Sequence, residues 1–259
     1  MRVLNNNSSD LEFSRRRSVN TNGRGHGGRG AMRRPPGERR QRTLSELQHM
    51  WRRLAVRLLH SGLLEMPWAL GVNSATRGEG RTTAAMSLAG ALAWETGDQI
   101  ALMECDYESP CIADELDVDP SPGLLDYVEG MADLESTFRP ARMENLTVIP
   151  VGTGHGALPG QLGGDEAAIR LRHELSGIVR RLKQQFSCIV VDMPPLTSVH
   201  AEGMAVQMDA ALVLARAGVT PEAGLKDAVA AIGEEKMLGV VYMGGPSALP
   251  GWISSILSE

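Results

Sequence analysis

The sequence predicts an α/β protein of three layers, α/β/α, built around a mostly parallel sheet. Two patterns and one number lead to that class. Short apolar runs at Ala69–Val72, Ile100–Met103, Leu146–Val151, Cys188–Val191, Ala211–Ala215 and Leu238–Tyr242 read as strands apolar on both faces. Helical patterns separate them, and strands alternating with helices imply a sheet covered on both sides. With 259 residues, 42% of them hydrophobic, the chain can bury the core of one domain of about 200 residues.

The helices follow from spacing and punctuation. Thr82–Thr96 is an unbroken helix-forming stretch closed by Gly97. Ala168, Leu171, Leu175, Ile178 and Leu182 recur at helical steps, and a further helix is expected with Thr220 as N-cap, Pro221 in its first turn and Gly233 after its end. Upstream, Leu44, Leu47, Trp51, Leu54 and Leu58 form the stripe of an amphipathic helix over 44–60, with Arg52, Arg53 and Arg57 beside it.

Charge divides the chain. Residues 1–60 carry 14 Arg and no Lys against Asp10, Glu12, Glu38 and Glu46, a balance of +10, whereas residues 61–259 carry 12 Lys+Arg against 27 Asp+Glu, a balance of −15. Residues 1–43 contain almost nothing apolar and are expected to be a disordered, basic Arg/Gly-rich arm. Residues 61–259 are then the folded domain. No run approaches the roughly 18 apolar residues of a spanning helix, and the polar start lacks a secretory h-region. A cytoplasmic location is expected. Cys105, Cys111 and Cys188 have no metal or disulfide spacing and read as reduced, mostly buried small hydrophobes.

In such sheets ligands sit beyond the carboxyl ends of the strands. After the first run the chain reads Ser74-Ala-Thr-Arg-Gly-Glu-Gly-Arg-Thr-Thr83 and then turns helical. Against the phosphate-loop pattern [AG]-x4-G-K-[ST], Ala75, Gly80 and Thr82 fit, and Arg81 stands where Lys belongs. The cradle from Gly78 through Glu79, Gly80, Arg81 and Thr82 to Thr83 would present backbone N–H groups to phosphate oxygens, with the Thr82 hydroxyl toward Mg²⁺. Arg81 leaves two readings open. Either it neutralises phosphate in place of Lys, or its longer planar fork has ended catalysis and left a binding site or only a shape.

Carboxylates follow two other strands. Glu104 and Asp106, at i and i+2, can both face the phosphate loop, and Asp192 closes the run Ile189-Val-Val with the placing of a Walker B aspartate that would hold Mg²⁺.

Together these segments resemble the bacterial tyrosine kinases and their relatives among the MinD/ParA-like P-loop NTPases, which act in capsule and exopolysaccharide synthesis. Ser74–Thr82 is similar to the family's S-A-x-P-G-E-G-K-S/T, Glu104–Pro110 to D-x-D-x-R-x-P, Pro122–Gly130 to G-L-x-D-x-L-x-G, Leu146–Gln161 to L-x-V-L-P-A-G…P, and Asp192–Pro195 to D-T-P-P. The resemblance implies ATP and Mg²⁺ as cofactors, with Thr82 and Asp192 as metal residues and Arg81, Glu104 and Asp106 as the catalytic set. It also implies a transmembrane polysaccharide co-polymerase or adaptor as partner, homo-oligomerisation through 44–60, and a place at the inner face of the membrane.

Departures gather at functional positions. Lys is replaced by Arg81, the first Asp by Glu104, and the Arg of D-x-D-x-R by Glu108; the family's C-terminal tyrosine cluster has no counterpart in Gly251–Glu259. Of the E-x-x-R-x-x-R oligomerisation segment only Arg52 is kept. The expectation is an ATP-binding protein of the tyrosine-kinase type with weak or lost kinase activity. The alternatives are a non-catalytic scaffold or nucleotide sensor of a membrane polysaccharide machine, and a partition ATPase of the MinD/ParA kind. The arm can be a solvated tail, a contact to an anionic membrane surface or nucleic acid, or a strap to an acidic domain.

Overall fold

The computed structural model describes residues 2–5, 36–152 and 164–244. The remainder of the 1–43 arm, the end of the Leu146–Gln161 segment and the Gly251–Glu259 tail lie outside the described residues. The described chain forms strands β1 (Arg2–Asn5), β2 (Trp68–Ser74), β3 (Ile100–Glu104), β4 (Arg139–Pro140), β5 (Leu146–Ile149), β6 (Cys188–Asp192), β7 (Ala210–Arg216) and β8 (Met237–Met243). The helices are α1 (Pro36–His60), α2 (Arg81–Thr96), α3 (Ile112–Leu116), α4 (Leu124–Val128), α5 (Gly164–Leu182), α6 (Ala201–Ala205) and α7 (Glu222–Ile232). The strands make one sheet in the order β1-β8-β7-β2-β6-β3-β5-β4, parallel except for the β4–β5 pair.

All six expected strands are present, each extended or trimmed by a few residues. Their two apolar faces feed two cores. Trp68, Leu70 and Val72 of β2 join Ile100 and Leu102 of β3 and the α1–α2 side, where Trp51, Leu54, Leu88 and Leu92 are buried. Ala69 of the same strand faces the other side, with Leu171, Leu175 and Ile178 of α5 and Leu225 and Ile232 of α7. This alternation is the two-residue period of a strand acting on a sheet covered above and below.

Three boundaries differ from the sequence reading. Helix α1 begins at Pro36 rather than Leu44. Trp51, Leu54 and Leu58 of the apolar stripe are buried; Pro is well suited to a first turn, and Glu-Arg-Arg-Gln-Arg propagates a helix already anchored downstream. Strand β1 was not anticipated: Arg2–Asn5 pairs in parallel with Gly239–Tyr242 of β8, and edge pairing is a main-chain interaction that leaves little trace in side-chain pattern. The N-cap of α7 is Pro221, not Thr220; the Thr220 hydroxyl is used elsewhere, as described below.

The topology positions the loop that matters. Strand β2 lies between β7 and β6, and its carboxyl end leads through Ala75–Gly80 into α2. Gly80 is in the left-handed conformation at φ 91°, which lets the chain turn directly into the helix. Helix α2 is held by buried Ala84, Ala85, Leu88, Ala89 and Leu92, so the loop is anchored at both ends to the core. Leu88 is fully buried. Leu88→Ala is expected to lower unfolding free energy by about 3 kcal/mol through lost burial and a residual cavity, read as a shifted midpoint in urea denaturation with unchanged slope.

Candidate functional site

At the carboxyl ends of β2, β3 and β6 the expected residues converge around one buried side chain, Arg81. Its Nε donates to Asp192 Oδ1 at 3.1 Å and its Nη1 to Ser74 Oγ at 3.0 Å, while Nη2 donates to Asp106 Oδ2. The guanidinium is only 7% exposed and the two carboxylates less still. Burying such a cation costs several kcal/mol unless partners of opposite charge share its donors, and here all three donating nitrogens are engaged within the protein.

The phosphate loop is braced by its own side chains. Buried Glu79 accepts from the Thr76 amide (3.2 Å), from Thr76 Oγ1 (2.9 Å) and from Thr220 Oγ1 (2.6 Å). Arg216 Nη1 donates to the Gly78 carbonyl at 2.9 Å. Ala75 is buried near Gly224 of α7. At the mouth, Arg77 reaches Asp106 Oδ2 at 3.3 Å and Glu108 Oε2 at 2.5 Å, and Ser198 Oγ donates to Glu108 Oε1 at 2.6 Å. The Ser198 and Arg77 hydrogen bonds hold the Glu108 carboxyl below its usual range, against a smaller upward push from burial.

Glu104 is set apart from this cluster. Its Oε1 accepts from the Cys111 and Ile112 amides at 2.7 and 2.9 Å, and its Oε2 from the Val151 amide at 3.3 Å. Of the Glu104/Asp106 pair expected to face the loop together, Asp106 does so and Glu104 is spent on backbone donors. The reason is the turn after β3: it brings unsatisfied amides at the start of α3 to the nearest carboxylate. Cys105, between them, has its thiol pushed up by burial and by the charges of Asp192, Glu104 and Asp106, which keeps it a neutral packing group.

Sequence reasoning missed the working roles of Ser74, Arg77, Ser198, Arg216 and Thr220. One signal was present. Arg77 stands where the resembling pattern has Pro, and Glu108 where it has Arg; the pair forms the salt bridge at the site mouth.

Phosphate oxygens fit the loop. Helix α2 has sixteen residues, no side-chain cap at Gly80 and no acidic residue in its first turn, leaving its N-terminal amides and dipole open to an anion. Thr83 is exposed at that end and Thr82 is half-buried. A divalent cation does not fit the side chains as they stand. Asp106 and Asp192 each commit one oxygen to Arg81, and among the described residues no three His, Cys, Asp or Glu side chains gather to hold a metal ion.

Known proteins share this fold. The chain is 26% identical over 179 residues to the tyrosine-protein kinase CpsD of Streptococcus pneumoniae serotype 4, covering 68% of this chain and 73% of CpsD. The kinase domain of the Escherichia coli tyrosine kinase ETK superposes with a TM-score of 0.66 at 18% identity, covering 78% of this chain and 79% of that one. The septum site-determining protein MinD of Pyrococcus horikoshii, solved with Mg-ADP, gives 0.60 at 19% identity, covering 73% and 76%. No family model matches the chain. The three-layer α/β fold is thus the one that the ETK kinase domain and MinD share. Within that fold the chain is similar in sequence to a bacterial tyrosine kinase, CpsD, and in structure to the ETK kinase domain and MinD.

Burial pushes the Asp192 carboxyl up from 3.8 to about 6, with the Asp106 charge adding to it and the Arg81 guanidinium and Thr82 hydroxyl opposing. Between those two values the folded protein binds a proton that the unfolded chain does not, so this residue makes stability fall as pH rises through the window. Asp192→Asn is expected to flatten that part of the profile, measured as urea unfolding free energy at about pH 4 and about pH 6.

Proposed function

We propose that this protein is an ATP-binding P-loop regulator of the tyrosine-kinase type, acting in capsule or exopolysaccharide synthesis or export, with weak or lost kinase activity. Likeness to CpsD and to the ETK kinase domain supports the tyrosine-kinase type and the link to capsule synthesis. The weakness rests on a single observation: every donating nitrogen of Arg81 is committed to Asp192, Ser74 or Asp106.

In this reading the N–H groups of Gly78 to Thr83 and the positive end of α2 hold the phosphate chain. ATP, when bound, supplies the transferable γ-phosphoryl group. Transfer needs positive charge that follows the γ-phosphate, and a base for the incoming hydroxyl. Arg81 would have to leave two carboxylates to provide the first. Glu104 is spent on backbone amides, and Asp106 Oδ2 serves two guanidiniums; Asp106 Oδ1 has no hydrogen-bond partner but is buried, so a base for the substrate proton would also need the cluster to open. The site is therefore built to bind better than it turns over.

A second reading, a scaffold that works without nucleotide, draws on the Glu79–Thr76–Thr220 brace and the Arg216–Gly78 contact, by which the chain's own side chains hold the loop. Calorimetric titration with Mg-ATP and Mg-ADP separates the two. The first reading expects saturable binding with little hydrolysis, and a rise in turnover of about tenfold or more in Arg81→Lys; no binding in either form leaves the scaffold.

A transmembrane polysaccharide co-polymerase or adaptor is the partner this reading requires, and the inner face of the membrane is the place. The basic arm suits that place by its charge, and its only aromatic is Phe13, which gives base stacking no support. Co-sedimentation of the full chain with vesicles rich in anionic lipid is expected at low salt, and to weaken about tenfold when Arg15, Arg16 and Arg17 are replaced by Gln. Binding indifferent to both salt and these substitutions would remove the arm from the reading.

A further inference from the structure

We infer that the Arg81 guanidinium is the resident cation of this site, seated where the family's divalent ion would bind, so that phosphate binding here does not depend on a metal ion. The inference rests on the phosphate-site reading above and adds to it how the site supplies its positive charge.

A divalent ion at such a loop is usually held from the protein side by a hydroxyl at the start of the helix and a carboxylate at the end of a neighbouring strand. In this chain the carboxylate is Asp192, and a second, Asp106, comes from the next strand over. One guanidinium spans both: Nε to Asp192 Oδ1 at 3.1 Å and Nη2 to Asp106 Oδ2. A lysine at position 81 would carry a single point charge on a mobile stem. It could leave for the phosphates and free both carboxylates for a metal. The planar fork of Arg81 serves both carboxylates and Ser74 Oγ (3.0 Å) at once, one N–H from each nitrogen, so swinging it out toward phosphate would break all three bonds. The side chain is also almost fully buried. A divalent ion at this place would lie against a fixed positive charge, and each carboxylate has just one oxygen left, Asp106 Oδ1 and Asp192 Oδ2.

Charge for the phosphates is available elsewhere. Arg77 and Arg216 are both exposed and both touch the loop region, the first through Asp106 and Glu108, the second through the Gly78 carbonyl. Arginine rather than metal would then neutralise the nucleotide, in a chain that has 23 Arg and 3 Lys.

Two measurements on the full chain test this. The first uses Mn²⁺ alone, without nucleotide, with free ion followed by electron paramagnetic resonance. The wild type is expected to show no saturable site, while Arg81→Lys gains one; Arg81→Ala is a second variant, and thermal unfolding of each shows whether it is folded. Mn²⁺ binding by the wild type as tight as by Arg81→Lys would overturn the inference. The second is calorimetric titration with ATP in EDTA and in Mg²⁺. Wild-type affinity is expected to agree within about twofold between the two, whereas Arg81→Lys tightens about tenfold or more with Mg²⁺. Wild-type tightening of that size with Mg²⁺ would overturn the inference and leave the nucleotide reading intact. ATP binding by neither protein would end the nucleotide reading and metal-free phosphate binding with it, while the Mn²⁺ titration still decides what occupies the cation seat.

Discussion

The site is organised by one electrostatic constraint: a guanidinium and two carboxylates taken out of water together. Asp192 ends β6 and Asp106 lies two residues past the end of the neighbouring β3, and without Arg81 they would stand as like charges in a place with little solvent to screen them. Arg81 sits on the first turn of α2, so the same contact ties the helix and its preceding loop to the carboxyl edge of the sheet. Ser74, at the end of β2, completes the set. Three strands and one helix are thus joined by one side chain.

The surrounding loop follows from that arrangement. The start of α2 keeps its amides and dipole uncapped, while side chains from elsewhere in the chain brace the loop that leads into it. Glu79 turns inward to Thr76 and Thr220, and Arg216 clasps Gly78. The mouth carries a second ion pair, Arg77 with Glu108, fastened to the β6–α6 loop by Ser198. The result is a loop held by contacts from β7, from α7's approach and from the turn after β3. Such bracing favours a site whose shape persists, and it sets a cost on the rearrangement that phosphoryl transfer would ask of Arg81.

Much of this was legible in the chain itself. Each apolar run became a strand because its residues are apolar at odd and even positions alike, which only a doubly covered sheet accommodates. The phosphate loop was legible because Gly80 and Thr82 follow a strand and open a helix. What stayed hidden was local in a different way. The strand at Arg2–Asn5 forms through main-chain pairing at a sheet edge, and its side chains carry no pattern. The extension of α1 back to Pro36 reflects propagation from a packed segment, and the shift of Thr220 from cap to loop brace reflects a partner, Glu79, 141 residues away in sequence.

By itself the sequence determined the class of the protein: alternating strands and helices, a loop of the phosphate-binding kind, and acidic residues at the ends of the right strands. These are properties of residue type and spacing, which local physics reads directly. Only the tertiary structure decided what the acidic residues and Arg81 do. Glu104 and Asp106 differ by two positions and by almost nothing in chemistry, yet one caps backbone amides and the other holds a guanidinium. The exchange of Lys for Arg is one letter in the sequence. In the folded chain it is a forked cation whose donors are distributed among three strands, and that distribution exists only once the strands stand side by side.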